Sequence, residues 1–330
     1  MPITGVYFIP SNPNASTGLA TVTERLHTAL ADEPTVLGRW FLEHRLMRDT
    51  PSCVPASASQ RQAQPRYMQF LSLSFHTNHG FIYTSEAPEK GAGHHPTTST
   101  AGSPVNPPPM GATGPAPVPP NPSAAAQPSQ SGGQMVMTTV PLPSCNALFQ
   151  HFGYSCQPFW CHRHTVTVNG AVYDVGDFRV RVGDVKQTQP AARVRGTVVQ
   201  IEWRGPSIVD SIAAQSLASK LGGGQMADDD SGIDMAFPDA IEDADIDAEY
   251  AASAALIREF WARLGIDGAR DAILLPDVGK EVKSQLRRLK QKGSQTVFDD
   301  KTLQQVDEDP DPDAGVDVAR QFMEILRFNR

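Results

Sequence analysis

The sequence predicts an α+β fold, an antiparallel β-barrel-like sheet flanked by helices and interrupted by disordered insertions. Three observations lead there. Residues 159 to 203 alternate apolar and polar side chains in three consecutive segments with no helical spacing between them, which favours antiparallel pairing over βαβ units. Apolar stripes at spacings of three and four recur near the start and through the last third of the chain. Fourteen of the 28 prolines fall between residues 86 and 143, and residues 91 to 134 contain no Asp, Glu, Lys, Arg, Phe, Trp or Tyr, so that stretch cannot build a core.

Taken in order, ITGVYFIP (3 to 10) is β-branched and aromatic and ends at a proline, the pattern of a short strand. Leu19, Val22, Leu26 and Leu30 form one helical stripe, with Ser16 or Thr17 as N-cap and Pro34 beyond its end. VLGRWFLEHRLM (36 to 47) reads as a strand with Val36, Trp40, Leu42 and Leu46 on one side, a helix remaining the competitor for its second half. YMQFLSLSF (67 to 75) and FIYT (81 to 84) flank the turn-rich Thr77, Asn78, His79 and Gly80 as a hairpin.

In FWCHRHTVTVNG (159 to 170), Trp160, His162, His164, Val166 and Val168 share one face, and Asn169 and Gly170 predict a turn. DFRVRVGDV (177 to 185) places Phe178, Val180 and Val182 on a dry face and Arg179 and Arg181 on a wet one. RVRGTVVQIEW (193 to 203) changes parity between Val194 and Val199, which predicts a bulge near Gly196 or Val198. Further on, Tyr250, Ala254, Ile257, Trp261 and Leu264 stripe a helix that Gly265 caps. KEVKSQLRRLKQK (280 to 292) is a basic helix with a narrow stripe of Val282, Leu286 and Leu289. The last helix, from about Ala314 to Phe328, carries Val318, Phe322 and Ile325, with Met323 and Leu326 beside them.

The expected organisation is one domain over 1 to 330, broken by the disordered insertion at 86 to 143 and by acidic flexible segments at 222 to 239 and 299 to 313. A long insertion between two strands is tolerable because closure entropy grows only logarithmically with loop length. The net charge of −8 comes from two acidic runs, ten acids between Asp228 and Glu249 and eight between Asp299 and Asp317; outside them 27 bases face 18 acids. That mildly basic body suits an acidic partner or RNA as well as plain solvation. Four Cys are too few for a disulfide scaffold, the N-terminus has no signal-peptide pattern, and no apolar run approaches the roughly 18 residues of a membrane span. The expectation is a reducing compartment and no membrane.

Reaction chemistry finds little support. Cys156, Cys161, His162 and His164 are the best metal candidates, but Cys161 has the opposite strand parity from the histidines and no second ligand pair stands at finger-like spacing. No G-x-S-x-G elbow, phosphate loop or calcium loop is present. A tunnel that hydrolyses triphosphates needs alternating carboxylates for metal, whereas the strands supply Arg179, Arg181, Arg193 and Arg195 with only isolated Glu43 and Glu202. No catalytic residue, cofactor or metal ligand is expected.

The order of elements, W-x-x-R-H-x-V, VYDVGDFRVRVGDV (172 to 185), RVRGTVVQIEWRGPSIVD (193 to 210) and the closing VARQFMEILRF (318 to 328) resemble the Mediator subunit 20 family, related to TATA-binding-protein-related factor, in a fungal-type form with insertions. The resemblance implies a non-catalytic nuclear protein of the Mediator head module. It would pair with Mediator subunit 18 as a movable jaw, reach Mediator subunit 8 and the rest of the head through it, and help couple regulators to RNA polymerase II. An obligate interface of that kind buries about 2,000 Å² or more and is apolar. Its candidate anchors are Trp203, Phe322, Ile325 and Phe328, each of which could instead serve the chain's own core. An RNA- or polyanion-binding barrel and a tunnel-type triphosphate hydrolase remain as alternatives.

Overall fold

In the computed structural model the alternating segments do become strands: β1 (Thr4–Pro10), β2 (Thr35–Asp49), β3 (Tyr67–Leu73), β4 (His79–Ser85), β5 (Met135–Pro141), β6 (Trp160–Val175), β7 (Phe178–Gln189), β8 (Arg193–Trp203) and the short β9 (Arg270–Ala272). Helices α1 (Gly18–Thr28), α2 (Leu142–Tyr154), α3 (Ile208–Lys220), α4 (Asp243–Leu264), α5 (Lys280–Ser294) and α6 (Val316–Leu326) accompany them among the described residues. The structure describes residues 2 to 11, 17 to 50, 66 to 85, 135 to 157, 159 to 220, 240 to 294 and 313 to 328.

All strand pairs are antiparallel, in one sheet of order β5-β4-β3-β2-β6-β7-β8-β1-β9. The α+β class and the flanking helices are as expected, but the curved wall does not close: β5 and β9 are its edges. Helix α6 explains why. It packs against β1 and β9 near one edge and against β3, β4 and β5 at the other. The sheet therefore curls around α6, which fills the space that side chains would occupy in a closed barrel.

Each face of the sheet buries its own core. The outer one joins Tyr7, Tyr173, Val180, Val182, Val199 and Ile201 to α1, α3, α4 and α5, and stacks Tyr7 on Trp261 at 4.1 Å between ring centroids. The inner one joins Val6, Phe8, Trp40, Leu42, Val166, Val168 and Val198 to α6. A third, smaller cluster seats α2 on the outer side of β2 and β3 through Met47, Met68, Phe70 and Cys145. No described helix is long and apolar enough to cross a membrane.

Local signals hold where a cap or stripe was quoted. The Thr17 hydroxyl accepts the Ala20 N–H at 3.4 Å, Gly265 caps α4 at φ 61°, and the whole predicted α4 stripe is buried. The parity change in β8 is a bulge in which Val185 pairs with Gly196 and Lys186 with Val194, leaving Arg195 unopposed. Residues 36 to 47 lie wholly within a strand, so the helical competitor is excluded.

Four expectations about turns, registers and boundaries need correction. Asn169 and Gly170 form no turn; β6 runs on to Val175, with Gly170 between Trp40 and Gly183. There an added Cβ would lie 1.8 Å from the Val182 carbonyl oxygen, so glycine permits close backbone approach, and the turn comes at Gly176 with φ 55°. A register shift at Val36 and Gly38 leaves Val36 64 % exposed instead of aligned with Trp40. A second shift skips Arg163, putting His164 inside with Val166 while His162 and Trp160 face α2. The insertion ends earlier than residue 143, because β5 begins at Met135 and α2 at Leu142. Residues 86 to 134 and 222 to 239 lie outside the described residues, as do 299 to 312; Asp313 belongs to a turn before α6.

Candidate partner interface

Helix α6 holds two of the four quoted anchors, and its sequence explains its inward position. VDVARQFMEIL is amphipathic, with seven apolar residues on one half and Asp317, Arg320, Gln321 and Glu324 on the other, yet Arg320 and Gln321 are buried too, so the helix lies within the curl rather than across it. Phe322 is fully buried, with its ring 5.8 Å from that of Trp40, and Ile325 is buried beside it. Phe328 follows the helix at φ 47° and is only half-buried, its ring 5.4 Å from Phe8 and 5.7 Å from His164, with the Arg195 guanidinium 5.2 Å away. Trp203 belongs to the outer face at the end of β8, half-buried against Phe178 at 5.1 Å. The structure thus does not gather the four: two are inside, and the two that reach the surface lie on opposite faces of the sheet.

Polar side chains lock α6 to the shell. Gln321 donates to the carbonyls of Thr4 (2.6 Å) and Ile273 (2.9 Å), and the Thr4 hydroxyl donates to its side-chain oxygen at 2.6 Å. Arg320 grips Glu281 at 2.6 and 2.8 Å and donates to the Asp277 carbonyl at 2.8 Å. Asp317 accepts from the Tyr250 hydroxyl at 2.7 Å and the Gly279 N–H at 3.1 Å. Burial pushes the Asp317 carboxyl up to about 6 despite those donors, and the Tyr250 phenol also rises through burial and the nearby carboxylate. Each bond satisfies a buried or half-buried polar group that would otherwise be costly.

The same inner face corrects the wet surface expected of Arg179 and Arg181. Arg181 is buried, donating to Glu202 at 2.5 Å and Gln200 at 3.0 Å, with its guanidinium 4.1 Å from the Phe75 ring centroid. Arg179 approaches the other oxygen of Glu202 at 3.6 Å. Burial lowers the Arg181 pKa, with Glu202 opposing. A cavity of about 380 Å³ lies against these residues, His76 and Asp317. Its two carboxylates are already engaged, and among the described residues no group of three or more His, Cys, Asp or Glu could hold a metal ion. The Cys161 thiol donates to the Arg48 carbonyl at 3.3 Å, and the skipped Arg163 sends His162 and His164 to opposite faces.

Sequence reasoning missed α2 and the surface beside it. Cys145, Leu148, Phe149 and Phe152 are spaced three, one and three apart behind a proline in the first turn, a helical stripe concealed by the proline-rich stretch before it. The helix overhangs a groove of about 470 Å³ lined by Arg45, Phe149, Tyr154 and His162, and Tyr154 and Phe159 are 81 % and 68 % exposed.

A family model described as the TATA-binding related factor (TRF) of subunit 20 of the Mediator complex matches residues 1 to 327. The chain belongs to the Mediator subunit 20 family. As a Mediator subunit it works in transcription, in association with other subunits of that complex. No curated protein matches this Mediator subunit. Solved structures similar to it include a protein of Pyrococcus horikoshii OT3 (11 % identity, TM-score 0.27, covering 67 % of this chain and 90 % of that one). Another is a putative adenylyl cyclase from Hippeastrum with a dominant triphosphatase activity (9 %, 0.25, 68 % and 92 %). A third is a chain of the Schizosaccharomyces pombe Mediator head module (11 %, 0.25, 66 % and 95 %).

Proposed function

We propose that this Mediator subunit is a non-catalytic, nuclear component of the head module. It pairs with Mediator subunit 18 as a movable jaw, contacts subunit 8 and the rest of the head through that partner, and helps couple regulators to RNA polymerase II. The family match over residues 1 to 327 carries the reading. The chain acts as one domain, with its insertion and acidic segments as excursions.

The inner face supports adhesion over catalysis. A triphosphate tunnel needs an open interior and carboxylates free to hold metal, whereas this interior holds α6, and Glu202 is spent on Arg179 and Arg181. The RNA-binding alternative leans on α5, yet Lys283 and Arg287 of that helix pair with Asp247 and Asp243 of α4. Trp203 and Phe328 are the anchors we assign to partner contact; Phe322 and Ile325 support them by fixing α6.

Co-expression with Mediator subunit 18 tests the proposal: the two chains should co-purify, Trp203→Ala and Phe328→Ala should weaken the pair, and inorganic triphosphate with Mg²⁺ or Mn²⁺ should not be turned over. A monodisperse chain that ignores subunit 18, or one that hydrolyses triphosphate, overturns it.

A further inference from the structure

The two edges of the sheet are finished differently. At one end β9 is three residues long, carries Arg270 and Asp271, and has Asp271 in an ion pair with Arg258 at 3.6 Å. Short length and charge are the usual ways of blunting an edge against another chain. At the other end β5, MVMTTVP, is seven residues long and uncharged, and it pairs with β4 at every position without a register shift. Among the described residues no other strand pairs with it.

Nor is β5 a loosely attached end. Met137 packs into the inner core and Val140 into the α2 cluster, so its two faces are held from opposite sides. Between those faces the outer row of backbone N–H and C=O groups faces away from β4, and the chemistry that completes such a row is another extended backbone. Val136 is 43 % exposed and Thr138 is exposed on the same side of the strand, β-branched residues suited to cross-strand pairing with uncharged neighbours.

We propose that the free edge of β5 is a strand-addition site, taken by an extended, uncharged segment of a neighbouring Mediator subunit. The inference rests on the chain's place in the Mediator head. The chain's own residues 86 to 134 are poor occupants: they contain twelve prolines, each without an N–H to give to a ladder.

Hydrogen exchange on the full chain, alone and in a head subcomplex reconstituted with Mediator subunit 18 and its partners, tests this. The amides of residues 135 to 140 that face away from β4 should slow by about ten-fold or more on assembly, and Val136→Lys with Thr138→Lys should weaken assembly by about ten-fold while leaving the melting temperature of the free chain unchanged. Assembly with unchanged exchange at β5 overturns the edge proposal and leaves the head-module reading standing. Failure to assemble at all overturns both. Protection already present in the free chain assigns the edge to its own insertion, and protection that grows with concentration alongside a dimer assigns it to a second copy; either result overturns the proposal.

Discussion

Phe322→Ala separates the chain's own packing from partner contact at the residue where the two are most easily confused. Phe322 is fully buried, in a cluster with Trp40, Leu42, Val166 and Val198, so truncation removes a whole aromatic ring from the inner core. A buried Phe→Ala change costs about 3 to 5 kcal/mol, because the lost transfer energy is joined by that of a cavity the neighbours cannot fill. At about 2 to 4 °C per kcal/mol for a fold of this size, the melting temperature should drop by about 6 to 20 °C. A Phe322→Leu variant, which refills part of the space, should drop less. Differential scanning fluorimetry measures both, and co-purification with Mediator subunit 18 below the lowered transition measures pairing, which should persist. An unchanged melting temperature with lost pairing would refute the burial reasoning and make Phe322 a contact residue.

Three other outcomes are expected. Arg181→Met leaves the Glu202 carboxylate buried with only Arg179 at 3.6 Å, and should cost about 3 kcal/mol in urea unfolding, with Arg181→Met/Glu202→Gln recovering much of it. Burial lowers His44 to about 3 and His76 and His164 to about 4, so the unfolded chain takes up protons first and stability should fall as pH drops from about 6.5 toward 4. Asp317, raised to about 6, has the opposite sign over part of that window and offsets one of the three; melting temperatures at pH 7 and pH 5 should still differ, and an Asp317→Asn chain should show the larger difference. Gly170→Ala puts a methyl group against the Val182 carbonyl and should cost more than about 3 kcal/mol or abolish soluble expression, measured against a conservative change at exposed Thr138.

Elements whose evidence is periodic were legible without coordinates. The α4 stripe with its Gly265 cap, the hairpin of β3 and β4 and the bulge at Gly196 all follow from patterns within about 20 residues. Errors clustered where a bulge or a neighbour decides. Asn169 and Gly170 have turn chemistry, yet β2 and β7 flank that point and hold it extended. One skipped residue, Arg163, reverses the facing of the histidine row. The exposed surface at Tyr154 and Phe159 stayed hidden because only the seven residues of β5 separate α2 from a segment with no core-forming pattern.

Read alone, the order of residues settled the class of the fold, its antiparallel pairing, most helices and the likeness to Mediator subunit 20, since each depends on local spacing or on motifs kept together in the chain. Only the tertiary structure decided that the curl stays open, that Arg181 is buried and that Phe322 points inward. All three follow from α6 entering the sheet's concave side from more than 100 residues downstream of β8, a long-range placement that no local periodicity encodes.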